Sequence, residues 1–392
     1  MTLSSLSLSS LSEELGIPRK YLAYAGVAPP SKAVRQAVAS TLDLVASHGP
    51  GAFPVLGEQR EGLRQNVARL IGAAAAQVAF VPGTTRGLLE LALCLPWKSG
   101  ERVVLFHGEF PANVSPWQRA AELFGLELEF VSLAGAVRDV EPVLAALEGA
   151  LKKRVRLVAV SAVQFQTGLR MPIARISELC RRYGAELAVD AIQACGVVPL
   201  DVNALGIDYL ASGAHKWLMG FEGAGFVYAR DARALVPRTA GWLSHDDAIR
   251  FLIRGPGELR YDRPLKAGID FLEGSSSGSL ALSALGASLE AILAFGVESI
   301  WERVSRYLER LERGLVERGL VSLRATAPEA RSGILSFEPP ASLPAAQIVA
   351  GLKARGVTAS MPDGLVRFAP HYPNSEDEIP EILAALDEVL GR

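Results

Sequence analysis

From residue 77 onward the chain alternates short, continuously apolar runs with stretches whose apolar residues recur at three- and four-residue spacing. Seven runs read as strands, at 78–81, 102–106, 128–131, 156–160, 186–190, 207–210 and 225–229. Most are apolar at every position, the pattern of strands covered on both faces. Helical stretches between the early runs predict a seven-stranded, mainly parallel, doubly wound α/β sheet. A loop bearing His215 and Lys216, not a helix, joins the last two runs, so the final strand can run antiparallel.

The flanks read differently. Residues 21–30, apolar but broken by glycine and proline, form an ordered loop. Ser31 then caps a helix with Val34, Val38 and Leu42 on one face. Residues 47–57 are rich in glycine and proline and read as an exposed excursion, and helical periodicity resumes at 61–71. Beyond Arg230 the pattern loosens, and residues 250–263 have the composition of a hinge. Two amphipathic helices follow, one on Leu282, Leu285, Leu289 and Ile292, the other on Trp301, Val304, Leu308, Leu311 and Leu315. Short strands at 333–337 and 365–368 complete a smaller unit. The expected division is an N-terminal leader or arm at 1–20, a large α/β domain at 21–255 and a small α+β domain at 256–392.

Composition narrows the classes. A formal charge of −2 gives no bulk electrostatic footprint for nucleic acid or a membrane surface. Three cysteines (Cys94, Cys180 and Cys195) without CxxC spacing suit neither a disulfide framework nor a zinc site, and fit a reducing cytoplasm. The first twelve residues lack the basic start and apolar core of a signal peptide. No stretch approaches the roughly 20 apolar residues of a membrane span.

Four stretches carry candidate chemistry, each beyond the end of a strand, where α/β sheets bind ligands. Pro82-Gly83-Thr84-Thr85-Arg86-Gly87 opens a helix, and its free amides and two hydroxyls suit a phosphate; alone it is also an ordinary threonine cap. Phe110, in Glu109-Phe110-Pro-Ala-Asn113, can lie flat on a cofactor ring or be plain core. Asp190 ends a buried strand with Gln193 just beyond; it can hold a pyridine nitrogen protonated or cap the next segment. Ser212-Gly-Ala-His215-Lys216 places phosphate-binding groups beside a lysine whose ammonium, in a dry pocket, loses pKa and becomes nucleophilic.

Together these stretches resemble the class V aminotransferase family of fold-type I pyridoxal-phosphate enzymes, which includes cysteine desulfurases and isopenicillin N epimerase-like proteins. The resemblance runs from Tyr21 to Arg367 and is most specific at Val189-Asp190-Ala-Ile-Gln193 with Ser212-Gly-Ala-His215-Lys216. It implies pyridoxal 5'-phosphate on Lys216 as Schiff-base lysine, with Asp190 at the ring nitrogen and Gln193 beside the ring oxygen. It maps Gly83, Thr84, Thr85, Ser212 and His215 to the phosphate cup and Phe110 to the ring platform. Ser275, in Phe271-Leu-Glu-Gly274-Ser275, falls where a second subunit touches the phosphate, which implies a homodimer with a shared site. Arg367 falls where relatives bind the substrate α-carboxylate through a bidentate fork. No metal is implied.

Departures from the family narrow the reaction. Desulfurases carry a nucleophilic cysteine on the loop before that arginine, and here the loop reads Thr358-Ala-Ser-Met361-Pro-Asp-Gly364. Phe110 replaces a stacking histidine, Phe165 a cofactor-contacting asparagine, and the entrance run Ala23-Tyr24-Ala25 lacks asparagines. The expectation is a cytoplasmic enzyme acting on an amino acid, an aminotransferase by default. An epimerase or racemase, a thiol-independent lyase, or a pyridoxal-phosphate-binding regulator without turnover stay open. A nucleotide-binding α/β enzyme ranks below these because no Gly-x-Gly-x-x-Gly or Walker lysine is present.

Overall fold

The computed structural model describes residues 11–276 and 278–392. Its centre is a seven-stranded sheet of β1 (Val78–Val81), β2 (Arg102–Phe106), β3 (Glu127–Val131), β4 (Val155–Ser161), β5 (Glu186–Asp190), β6 (Tyr209–Gly213) and β7 (Gly225–Ala229). The order is β1-β7-β6-β5-β4-β2-β3, with β7 antiparallel to both neighbours and the other pairs parallel. This is the mainly parallel sheet the alternating runs predict. Side chains alternate faces along a strand, so a continuous apolar run serves two cores. In β1, Val78 and Phe80 enter one core and Ala79 and Val81 the other.

The sixth strand lies later than its apolar run at 207–210. It continues through Ala211, Ser212 and Gly213, which pair with Val227, Phe226 and Gly225 of β7. Hydroxyl and glycine hid this extension from a reading based on hydrophobicity. The glycine is needed for close approach: a β-carbon on Gly225 would lie 2.6 Å from the Ser212 carbonyl oxygen and 2.9 Å from the Gly83 Cα.

Around the sheet run α1 (Leu11–Leu15), α2 (Lys32–His48), α3 (Phe53–Ile71), α4 (Thr84–Cys94), α5 (Ser115–Phe124), α6 (Glu141–Leu151) and α7 (Ile173–Tyr183). Ser31 caps α2 as expected, its hydroxyl accepting the Val34 N–H at 3.3 Å. The proposed apolar face of α2 is only partly covered: Val34 is buried, whereas Leu42 is 52% exposed. Residues 47–57 are mostly exposed, as expected, but helical rather than an excursion. A 3-10 turn (Gly49–Ala52) runs directly into α3, with Pro54 in the first turn, where the missing amide costs no helical bond.

The C-terminal half adds α8 (Arg250–Ile253), α9 (Ser279–Phe295), α10 (Val297–Glu317), α11 (Ala345–Ala354) and α12 (Ile379–Val389). Helix α9 packs on α2 and α3. A second sheet, β10-β9-β8, is antiparallel and consists of β8 (Val321–Ser322), β9 (Leu335–Glu338) and β10 (Val366–Phe368). Strands β9 and β10 overlap the runs read at 333–337 and 365–368; β8 is too short to leave a pattern. No single described helix is long and apolar enough to cross a membrane.

The N-terminal segment ties the two sheets together. Residues 1–10 of the proposed leader lie outside the described residues. Residues 11–20 pack onto the protein, with Leu11 and Ile17 buried and Arg19 and Lys20 on Glu381 at 2.9 and 3.0 Å. The chain then runs beside β10: the Leu22 N–H donates to Thr358 and the Tyr24 N–H to Ala369. Tyr24 is fully buried, stacked on Trp217 and edge-on to His371.

His371 is locked as a neutral imidazole. Its Nδ1 accepts the Tyr372 N–H at 2.7 Å, so Nε2 carries the proton and donates to the Trp217 carbonyl at 2.8 Å. Burial lowers its pKa to about 4. The unfolded chain therefore takes up a proton near the usual His value of about 6.5, before the folded protein does. Stability conferred by this group is complete above about 6.5 and falls as pH drops towards about 4, by roughly 3 kcal/mol. In His371→Gln the acid limb of unfolding free energy against pH should be shallower by about one proton in that window. Denaturant titrations at several pH values test this, and parallel limbs in the two proteins would refute the assignment.

Candidate active site

A cleft of about 830 Å³ opens at the carboxyl ends of the central strands. It brings together Gly83, Thr84 and Thr85 beyond β1, Phe110 beyond β2, Asp190 and Gln193 at β5, and His215 and Lys216 beyond β6. Arg367 enters from β10 of the second sheet. Two expected residues do not line the cleft. Ser212 is fully buried within β6, its hydroxyl donating to the Gly213 carbonyl at 3.4 Å. Ser275 is exposed and outside the cleft of its own chain.

One end of the cleft is built by the start of α4. The amides of Thr84, Thr85 and Arg86 precede the first intrahelical bond, from the Gly87 N–H to the Gly83 carbonyl at 2.9 Å, so they have no helical acceptor. Thr84 Oγ1 is buried without a hydrogen-bond partner. A buried hydroxyl left unpaired is costly, and an anion at a helix N-terminus supplies the missing acceptor. Glycines set this cradle close to the sheet: a β-carbon on Gly213 would sit 3.1 Å from Thr84 Oγ1, and one on Gly87 2.7 Å from Val227 Cγ1.

At the cleft floor two charges oppose one another. Burial pushes the Asp190 carboxyl well above the usual carboxylate range; the Ile192 N–H at 3.0 Å and Lys216 oppose that shift, while Glu109 adds to it. Burial lowers the Lys216 ammonium; Asp190 works against this and Arg367 with it. A cation held against it would return Asp190 towards its ionised form. The Lys216 Nζ lies 5.4 Å over the centre of the Phe110 ring, so a flat group on Nζ sits beside an aromatic face. His215 is lowered by burial and by Lys216. Gln193 is fixed on two sides, with Nε2 donating to the Ala25 carbonyl at 3.0 Å and Oε1 accepting from Trp217 Nε1 at 2.8 Å. One Nε2 hydrogen remains for a ligand oxygen.

Arg367 is buried, its Nη1 donating to the Phe165 carbonyl at 2.6 Å and its Nε to Ser360 Oγ at 3.0 Å. Burial lowers its pKa to about 10. Among the described residues it has no carboxylate partner, so a structural ion pair does not account for it. Sequence reading passed over Glu109. Buried beside Phe110, its carboxylate accepts the Ser161 N–H at 2.7 Å, the Ser161 hydroxyl, and Gln164 Nε2 at 2.9 Å. It thus fixes the backbone that carries the platform. Only the acidic residue next to an aromatic one signalled it, and that pattern is common on loops.

A model of the aminotransferase class-V family matches residues 21–361. The chain belongs to this family. Similar class V proteins include the uncharacterized aminotransferase YcbU of Bacillus subtilis, 27% identical over 86% of this chain and 84% of that one. Isopenicillin N epimerase of Streptomyces clavuligerus is 27% identical over 84% of each. A cysteine desulfurase of Dickeya dadantii is 31% identical over 71% of this chain and 65% of the relative. Among solved structures, the cystine C-S lyase C-DES in complex with cysteine persulfide superposes with a TM-score of 0.85 at 25% identity, over 94% of this chain and 97% of that one.

The class V cofactor is pyridoxal 5'-phosphate, and the residues present fit it. The unpaired Thr84 hydroxyl and free α4 amides match a phosphate, Asp190 a pyridinium, and the depressed Lys216 amine a carbonyl carbon. Hydrogen bonds to charged groups contribute about 1.5–3 kcal/mol, so Thr84→Val should weaken cofactor retention roughly ten- to a hundredfold. Thr84→Ser should largely restore it. Absorbance titration of stripped protein with the cofactor measures both, and equal affinity for Thr84→Val and the parent would remove Thr84 from the phosphate site.

Proposed function

We propose that this class V protein is an aminotransferase for α-amino acids, acting as a homodimer in which Ser275 of each chain reaches the phosphate end of the other's cleft. The observation that carries the substrate class is Arg367, a buried guanidinium without a carboxylate partner among the described residues, facing the same cleft as Lys216. Burial of an unpaired cation is costly, and a substrate carboxylate relieves it.

When bound, pyridoxal phosphate supplies a carbonyl carbon for the substrate amine and a protonated ring that takes up the electron pair left at the α-carbon. Asp190 would hold that ring nitrogen protonated. Lys216, its amine already depressed by burial, would serve as the base that moves the α-proton. Phe110 lies against Lys216 and carries no exchangeable proton, which favours a single base working on one face. Epimerisation needs proton exchange on both faces. The resemblance to isopenicillin N epimerase makes it the second reading.

Sulfur abstraction through a cysteine persulfide finds little support. Cys94, Cys180 and Cys195 are buried and none lines the cleft, and burial pushes the Cys180 and Cys195 thiols up to about 12.

Holoprotein should be yellow, with a visible band that borohydride bleaches and that Lys216→Ala lacks. Addition of a suitable amino acid should convert that band to the amine form while a 2-oxo acid accumulates. Loss of optical activity without oxo acid would favour the epimerase instead. Arg367→Ala should raise the substrate concentration needed by about a hundredfold or more, the scale of a buried charged hydrogen-bonded pair. An unchanged dependence would remove Arg367 from carboxylate recognition.

A further inference from the structure

We propose that the substrate side chain is apolar, of the aromatic, branched aliphatic or thioether class, and that Phe165 and Met361 select it. This rests on the reading above only in taking the substrate amine to Lys216 and its carboxylate to Arg367. The α-carbon then lies between those two residues, and whatever borders that gap meets the side chain.

The border is apolar. The carbonyl that holds Arg367 Nη1 at 2.6 Å belongs to Phe165 itself, so the Phe165 ring begins where the carboxylate is gripped. That ring meets Phe110 edge to face, with centroids 5.2 Å apart and planes at 81°. Phe110 in turn lies under the Lys216 amine. One aromatic wall therefore runs from the carboxylate end to the amine end. On the side of the second sheet, Ser360 holds Arg367 Nε at 3.0 Å, and the residues that follow it into the cleft are Met361 and Pro362. Met361 is 48% exposed and has apolar surface to bury against a ligand.

Two further charged side chains line the cleft. Arg86 follows the phosphate seat and is paired with Glu90, its Nε donating at 2.7 Å. Glu222 is exposed on the loop after Lys216. A second carboxylate or an ammonium on the substrate would lose its water against the aromatic wall with no partner there. Phe165 stands where relatives often carry a cofactor-contacting asparagine, and Met361 lies in the loop that lacks the desulfurase cysteine.

The test uses holoenzyme and two independent measurements. In rapid-scan spectroscopy, L-phenylalanine, L-leucine and L-methionine should convert the visible band with efficiencies at least about tenfold above L-alanine, L-aspartate and L-lysine, the smallest discrimination commonly reached by added methylenes in an apolar pocket. Calorimetry with amine-free carboxylates should show 3-phenylpropanoate and 4-methylpentanoate binding more tightly than succinate. Phe165→Asn and Met361→Ser should each lower the phenylalanine-to-aspartate ratio. Preference for aspartate, lysine or alanine, or a ratio unmoved in both variants, would overturn the proposal. If no amino acid alters the spectrum but 3-phenylpropanoate still outbinds succinate, the apolar pocket stands and the aminotransferase reading falls. If neither measurement favours apolar ligands, both fall.

Discussion

The bond from His371 Nε2 to the Trp217 carbonyl, 2.8 Å long and fully buried, keeps the site in register. Trp217 follows Lys216, and His371 lies just beyond Arg367, so this contact fixes Lys216 against Arg367 across the cleft. The neighbouring contacts brace it. Tyr24 stacks on Trp217, Gln193 accepts the Trp217 indole N–H, and Gln193 also holds the Ala25 carbonyl. Four separate stretches of chain meet there, and each contributes a residue to the cleft or next to it. A fixed separation between Lys216 and Arg367 is what the proposed two-point hold on an amino acid requires.

Burial then sets the chemistry of the groups so placed. Asp190, Lys216 and Arg367 are all taken from water, and in each the charged form is disfavoured. Among the described residues these charges are without full compensation, and Thr84 Oγ1 is without a partner. Pyridoxal phosphate brings groups that match Thr84, Asp190 and Lys216, and the substrate carboxylate proposed above would match Arg367. Unsatisfied groups that converge on a cleft are a stronger statement about a ligand than any one of them is.

Much of this was legible beforehand, for identifiable reasons. The sheet was readable because strands buried on both faces must be apolar throughout; β6 was read two residues early at its start, and its end was missed where Ser212 and Gly213 break that rule. Lys216, Asp190 and Thr84 were readable because each stands at a strand end or helix start, where backbone geometry alone exposes a side chain or amide. Glu109 was not readable: its importance lies in bonds to Ser161 and Gln164, which are distant in the chain and adjacent only through the sheet. Ser212 differs again: its place in the motif suggested phosphate, and in the structure it lies in a fully buried strand with its hydroxyl on the Gly213 carbonyl.

The sequence by itself determined the sheet, the family and the cofactor, because these depend on local patterns: apolar runs, strand-end residues and the Asp190 to Lys216 motif. Which charges remain unpaired was decided only by the tertiary structure. Arg367 could have been one half of an ion pair until the fold placed it on the Phe165 carbonyl and Ser360, with no carboxylate partner among the described residues. The same holds for the wall that Phe110 and Phe165 make together. Pairing and burial are relations between distant segments, and no local pattern encodes them.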